Sequence, residues 1–219
     1  EHLYIYDAQG RDKAALVTVD LETGELNLLA EDDRVDIGGV IYHPTKATVQ
    51  AYATNWIETE WTAIDPEISA DLEALAQIKD GELSVLSRSE DDNKWIVQYM
   101  SSDEPVSFYL YDRESKSGQF LFTSTPQLEG LKLSRMHPYV LTTDDGFDLV
   151  SYITLPPWTD PDDDGRPDQP VPIVVYVHGG PSDERAQVGF GALVHWLANR
   201  GYGFLYVNFR GSAGFGKAY

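Results

Sequence analysis

Apolar and polar positions alternate through the first 130 residues in short runs broken by turn clusters. In "ALVTVDLETGELNLL" (Ala15–Leu29) two alternating runs flank Thr23-Gly24, which predicts strand, turn, strand. "FYLYDRESKSGQFLF" (Phe108–Phe122) has the same design, with the bend placed at Lys116-Ser117-Gly118. "WTAID…DGELSVLSRS" (Trp61–Ser89) reads as a third copy carrying a longer insert, "PEISADLEALAQIK". Apolar residues at Leu72, Leu75, Ala76 and Ile78 give that insert the spacing of a short helix.

The copies share more than a rhythm. Each sets an Asp after an apolar residue, at Val19-Asp20, Ile64-Asp65 and Tyr111-Asp112, and these steps lie 45 and 47 residues apart. Between them "KATVQAY" (Lys46–Tyr52) matches "KWIVQY" (Lys94–Tyr99). A four-stranded unit returning every ~40–50 residues is the signature of propeller blades. A plain antiparallel sandwich also repeats its turns, but the shared residues favour the propeller. Three copies are too few to close a ring, so an incomplete ring is expected.

After residue 130 the texture changes. "YVLTTDDGFDLVSYITLP" (Tyr139–Pro156) predicts a hairpin turning at Asp145-Gly146. A polar, proline-rich loop follows. "IVVYV" (Ile173–Val177) is a continuous apolar run, which predicts a strand buried on both faces. "GFGALVHWLANRGY" (Gly189–Tyr202) predicts a helix with Leu193, Trp196 and Leu197 on one face, stopped at Gly201. "GFLYVNF" (Gly203–Phe209) is a further strand. Strand, helix, strand implies a crossover between parallel strands. The expected class is therefore multidomain: partial β-propeller, then an α/β portion.

Composition narrows the chemistry. With 16 Lys and Arg against 36 Asp and Glu, the net charge is −20, which repels phosphates and argues against nucleic acid or an anionic membrane surface as partner. There are no cysteines, which removes disulfides, thiol nucleophiles and thiolate metal sites. No apolar run reaches the ~18 residues of a membrane helix.

The chemistry sits where the apolar run "VVYV" ends in "HGGP" (His178–Pro181). In an open α/β sheet ligands bind at the carboxyl ends of the strands. Glycines there let the backbone approach a ligand and expose N–H donors, the arrangement that stabilises an oxyanion in acyl transfer. A second strand end, "VNFRGSAGFG" (Val207–Gly216), is also glycine-rich. Together, "YVHGGP", "LANRGYGFLYVNFRGSAGFG" and "YLYDRESKSGQFLF…PQLEGLKLSRMHPYVLTTDDGFDLVSYITLP" resemble the prolyl oligopeptidase family of serine peptidases, most closely its acylaminoacyl-peptidase-like branch. The resemblance runs over essentially the whole chain.

It implies a β-propeller capping an α/β-hydrolase domain, a Ser-Asp-His triad and a peptide substrate. It also implies that the Gly179 N–H is an oxyanion donor. His178 stands where some branches carry a tyrosine whose hydroxyl does that work. Arg210, Gly211 and Gly216 match a structural loop beside the site. The implied layout is C-terminal propeller blades over 1–133 and the start of the hydrolase domain over 134–219, truncated before the nucleophile elbow. That elbow needs G-x-S-x-G. "RGSAG" (Arg210–Gly214) has Arg210 in the first place, and "GPSDE" around Ser182 has Glu184 in the last. In this fold the triad order is Ser, Asp, His, downstream of the oxyanion loop. None of the five histidines, His2, His43, His137, His178 and His195, fits it. The expectation is an internal, inactive piece of a peptidase acting on short peptides or N-acyl-peptides. A non-catalytic propeller that binds peptides is the alternative from another class, and an esterase shares the same machinery.

No cofactor and no metal ligand is assigned. "DPDDDGRPD" does space Asp160, Asp162 and Asp164 like the opening ligands of a calcium loop, with Gly165 at the turn. Position twelve is Val171 instead of Glu, and Pro161, Pro167, Pro170 and Pro172 preclude flanking helices, so a solvated acidic loop is the plainer reading. Oligomeric state and compartment are not set by the sequence.

Overall fold

The computed structural model describes residues 2–180 and 184–219. The first three sheets are antiparallel. β1 (His2–Asp7), β2 (Ala15–Asp20) and β3 (Leu26–Ala30) form one. β4 (Ile37–Tyr42), β5 (Val49–Asn55) and β6 (Thr59–Ala63) form the next. β7 (Glu82–Arg88), β8 (Lys94–Met100), β9 (Ser107–Asp112) and β10 (Ser117–Thr123) form a third, in sequential order. This is a blade-like succession of mostly β structure, although only the third sheet has the four strands the repeat predicts.

One predicted hairpin is corrected. Trp61–Ser89 does not fold back on itself, because β6 pairs with β5 while β7 pairs with β8. The insert between them forms α1 (Pro66–Ala76), which carries the chain from one sheet to the next. Its buried residues are Ile68, Asp71 and Leu75. Tyr99 of β8 donates its hydroxyl to the Leu75 carbonyl at 2.7 Å, tying helix to blade. The bend after β9 also moves: Lys116 takes the positive φ, of 52°, while Ser117 and Gly118 are already in β10.

The repeated Asp has a physical reason. Each stands where the chain leaves a strand of its sheet and accepts N–H groups left unpaired as the chain turns. Asp20 takes those of Glu22 and Thr23, both at 2.9 Å, and Asp112 those of Glu114 and Ser115 at 3.0 and 3.2 Å. Asp65 does the same as the N-cap of α1, accepting from Glu67 at 3.0 Å. Hydrogen bonds hold all three carboxyls below the usual range, foremost from Thr23 for Asp20, Gln50 for Asp65 and Lys94 for Asp112.

The fourth sheet is mixed, in the order β11 (Met136–Thr142), β12 (Asp148–Thr154), β14 (Gly203–Val207), β13 (Ile173–Val177). The β11–β12 hairpin turns through Gly146 at φ 88°, as Asp145-Gly146 predicts. β13 and β14 are parallel and joined through α2 (Ala192–Ala198). Two expectations change here. The strand covered on both faces is β12, where Val150, Ser151 and Tyr152 are all buried. β13 is an edge, with Val175 and Val177 about 60% and 61% exposed, because it pairs with β14 alone. On α2 the inward residues are Val194 and Ala198; Leu193 and Trp196, predicted for the packed face, are exposed. The helix is shorter than predicted, with Asn199 as C-cap and Gly201 following at φ 88°.

A shared core joins this sheet to the blades. Val35, Met136, Val150, Tyr152, Ala186 and Phe215 are buried together, with Trp56 and Ile57 packed against them. Beside this core, His195 of α2 donates its Nε2–H to the Ser102 carbonyl at 2.8 Å, while its Nδ1 is buried without a partner among the described residues. Burial pushes its pKa below the ordinary 6.5. The folded state therefore favours neutral imidazole. Its contribution is complete above the unfolded pKa and is lost as pH falls from that value through the folded one. Denaturation midpoints should drop as pH falls below the ordinary histidine range, and His195→Phe should flatten that slope. An unchanged slope in the variant would place the titration elsewhere.

Candidate functional site

His178, Gly179 and Gly180 leave the carboxyl end of β13, and Asn208 to Ser212 leave the carboxyl end of its parallel neighbour β14. The two loops meet through His178. Its Nδ1 lies 2.8 Å from the Gly179 carbonyl oxygen, which can only accept, so Nδ1 carries the proton. Its Nε2 lies 2.7 Å from Ser212 Oγ. The ring stacks on Phe209, centroids 4.5 Å apart and planes 24° apart. His178 and Ser212 are both buried, whereas Gly179 and Gly180 face solvent.

Gly179 has no internal reason to be glycine. Its φ is outside the left-handed region, and a Cβ placed there meets nothing within 4 Å. Nor does any described residue accept a hydrogen bond from the Gly179 or Gly180 N–H. Gly180 is different: φ is 114° and a Cβ would press on the Glu184 side chain at 3.2 Å. Pro181 and Ser182, the latter in the rejected "GPSDE" stretch, lie outside the described residues.

The chain beyond is clamped from below. Asn208, fully buried, accepts the Ala186 N–H at 2.7 Å and donates to the carbonyls of Ala186 and Val150 at 3.0 and 2.9 Å. Arg185 reaches the second sheet, donating to the Asn55 and Trp56 carbonyls at 2.9 and 3.2 Å, and lies over the Phe215 ring at 4.3 Å. Burial lowers the pKa of this guanidinium, although it remains a cation. Of the loop residues expected to be structural, Arg210 pairs with Asp145 on the surface, and Gly211 and Gly216 take φ of 98° and 84°.

Against known proteins, no protein-family model matches the chain. It is 45% identical to dipeptidyl aminopeptidase BIII of Pseudoxanthomonas mexicana over 215 residues, covering 98% of this chain and 31% of that protein. The chain is thus similar to one part of a peptidase. A second relative, dipeptidyl peptidase family member 6 of Caenorhabditis elegans, is 33% identical over 231 residues, again 98% of this chain and 31% of the relative. The chain thus spans about a third of the length of these curated relatives. In fold it is similar to Porphyromonas gingivalis dipeptidyl peptidase 4, with a TM-score of 0.70 at 16% identity, over 99% of this chain and 30% of that one.

In a chain similar to peptidases, a serine and a histidine within hydrogen-bond reach must be weighed as a nucleophile pair. The Ser212–His178 contact does not meet that need. The serine is buried, and the far side of the ring faces a carbonyl instead of a carboxylate. Sequence reasoning misses Ser212 as the partner of His178 and Asn208 as the clamp on Ala186. The one available signal is polar residues directly after an apolar strand.

The other histidines are occupied elsewhere. His43 Nδ1 accepts the Thr45 and Lys46 N–H groups, both at 3.2 Å, and His137 faces Asp163 at 3.1 Å. His137, Asp160 and Asp163 could share an ion, as could Asp160, Asp162 and Asp164, since each set brings its ligand atoms within 4.8 Å of one another. Asp160 is already engaged, accepting the Asp164 and Gly165 N–H groups at 3.0 and 3.1 Å, and so closes its own turn. An apolar groove of about 700 Å³ lies between Leu131, Leu133, Pro157, Phe190 and Trp196, and shares no residue with the HGG or RGS loops.

Proposed function

We propose that this chain is the junction between propeller and catalytic domain of a serine peptidase. Residues 1–133 supply propeller blades and 134–219 open an α/β-hydrolase domain. In the complete protein, short peptides are cleaved through an acyl-enzyme, with the Gly179 N–H stabilising the oxyanion. The relatives' names make removal of N-terminal dipeptides the first activity to assay, with N-acyl-peptides second. The observation that carries the reading is Gly179 itself. It is an exposed glycine whose α-carbon and N–H meet no described residue, at the carboxyl end of a strand parallel to its neighbour. A carbonyl oxygen gaining charge is the partner such a donor suits. The mixed sheet and its α2 crossover support the hydrolase assignment.

A fluorophosphonate probe tests it. The complete protein should label and should hydrolyse a dipeptidyl chromogenic amide. The 219-residue chain alone should do neither, because its serines lie outside any G-x-S-x-G elbow. Peptide binding without labelling would make the protein a binding module, and turnover of esters but not amides would make it an esterase. Labelling of the short chain would reveal a nucleophile among its own serines.

A further inference from the structure

We propose that His178 and Ser212 are a positioning pair that sets the plane of the Gly179–Gly180 peptide. The bond from His178 Nδ1 fixes where the Gly179 carbonyl points. In a trans peptide the next N–H points the opposite way. Holding that carbonyl against the buried ring therefore turns the Gly180 N–H away from the ring. A ring held by one hydrogen bond could still rotate about its own axis. Ser212 removes that freedom: its hydroxyl engages Nε2 at 2.7 Å, and Phe209 closes one face. Ser212 is itself pinned, its N–H bonding the Phe209 carbonyl at 3.0 Å. The neighbouring Ala213 N–H takes the Glu184 carbonyl at 2.9 Å, on the far side of the glycines. The loop after β14 thus holds the chain at His178 and again at Glu184. Gly179 and Gly180 have no side chains of their own to define their conformation, so this external hold replaces what packing does elsewhere.

Ser212 therefore acts through His178, and neither touches substrate. The kinetic effects expected of the pair rest on the peptidase reading above; the structural effects do not. In the complete protein, Ser212→Ala keeps the ring but frees it, and His178→Ala removes the hold outright. Crystal structures of both should show the Gly179–Gly180 peptide rotated or in two orientations. A peptide unmoved in both variants would overturn the inference, whether or not the protein is a peptidase. If His178→Ala does not fold, Ser212→Ala alone decides. With a dipeptidyl amide, Ser212→Ala should lower kcat about 10²-fold, with KM changed far less, because rotation of the Gly179–Gly180 peptide alters the backbone that adjoins the Gly179 donor. The double variant should lose no more than the worse single one, because the two residues form one device. Losses that multiply would show two independent roles and sink the pair. So would fluorophosphonate labelling at Ser212, which would make it a nucleophile. A wild-type protein without peptidase activity would end the functional reading, and the peptide orientation in the two variants would still decide the positioning role.

Discussion

Asp71→Ala should remove about 3–5 kcal/mol of stability, the usual loss when one member of a buried ion pair is deleted. Asp71 of α1 is fully buried and takes hydrogen bonds from the Tyr111 hydroxyl at 2.9 Å and from Arg113 at 2.8 and 3.0 Å, with Lys116 as a further donor. Burial alone would raise its pKa; the bonds from Arg113, Lys116 and Tyr111 outweigh that and hold it low. Arg113 also bonds Asp92 at 2.5 Å, and Asp92 in turn bonds Arg88. Between the two guanidiniums lies Trp95, wholly buried, at 4.3 Å from one and 5.2 Å from the other. Removing Asp71 leaves Arg113 with half its partners and Tyr111 with a buried, unbonded hydroxyl. The contrast is Lys94→Ala. It breaks an ion pair with Asp112, but the lysine side chain is 49% exposed, and the expected change is below about 1 kcal/mol. Urea midpoints at constant m separate the two. Equal, small shifts would mean that the network orders the blade without stabilising it.

That network shows where sequence reading succeeds and where it stops. Alternation and turn residues foretell most strands of the blades, because half-buried antiparallel strands write their two faces into the residue order. Asp20, Asp65 and Asp112 are visible as a repeat, and their shared task, capping the chain as it leaves a strand, explains why the repeat exists. The partners of Asp71 are not visible. A helix that takes the place of a hairpin brings Asp71 beside Arg113, 42 residues away, and no local pattern encodes that. The apolar run Ile173–Val177 misleads for a related reason. Hydrophobicity reports what a strand can bury, not which neighbours lie against it, and in this chain β13 meets β14 alone. At the candidate site "HGG" and "RGS" are each legible as loops after strands. Their coupling through His178 and Ser212 spans 34 residues and follows only from strands β13 and β14 being adjacent and parallel.

The second large effect is expected at Gly179, in the complete protein. Gly179→Pro deletes the N–H proposed to meet the oxyanion, and loss of one such donor lowers kcat about 10²–10³-fold, or roughly 3–4 kcal/mol, with KM much less affected. Proline also fixes φ and restricts His178 before it, so the variant needs a partner that separates chemistry from folding. Gly179→Ala is that partner. Its Cβ enters open space and its backbone is not in the left-handed region, so it should fold as the wild type does and keep the N–H. Gly180→Ala cannot serve, since φ of 114° and the Glu184 side chain both resist a Cβ. The expected order of kcat is wild type, then Gly179→Ala, then Gly179→Pro far below, with circular dichroism and melting temperature unchanged for the alanine. A folded Gly179→Pro protein with undiminished kcat would remove Gly179 from the oxyanion hole. Should the alanine lose as much as the proline, the open space matters more than the N–H. Gly179 would then be kept small for the substrate's approach, and the donor would have to be sought elsewhere in the loop.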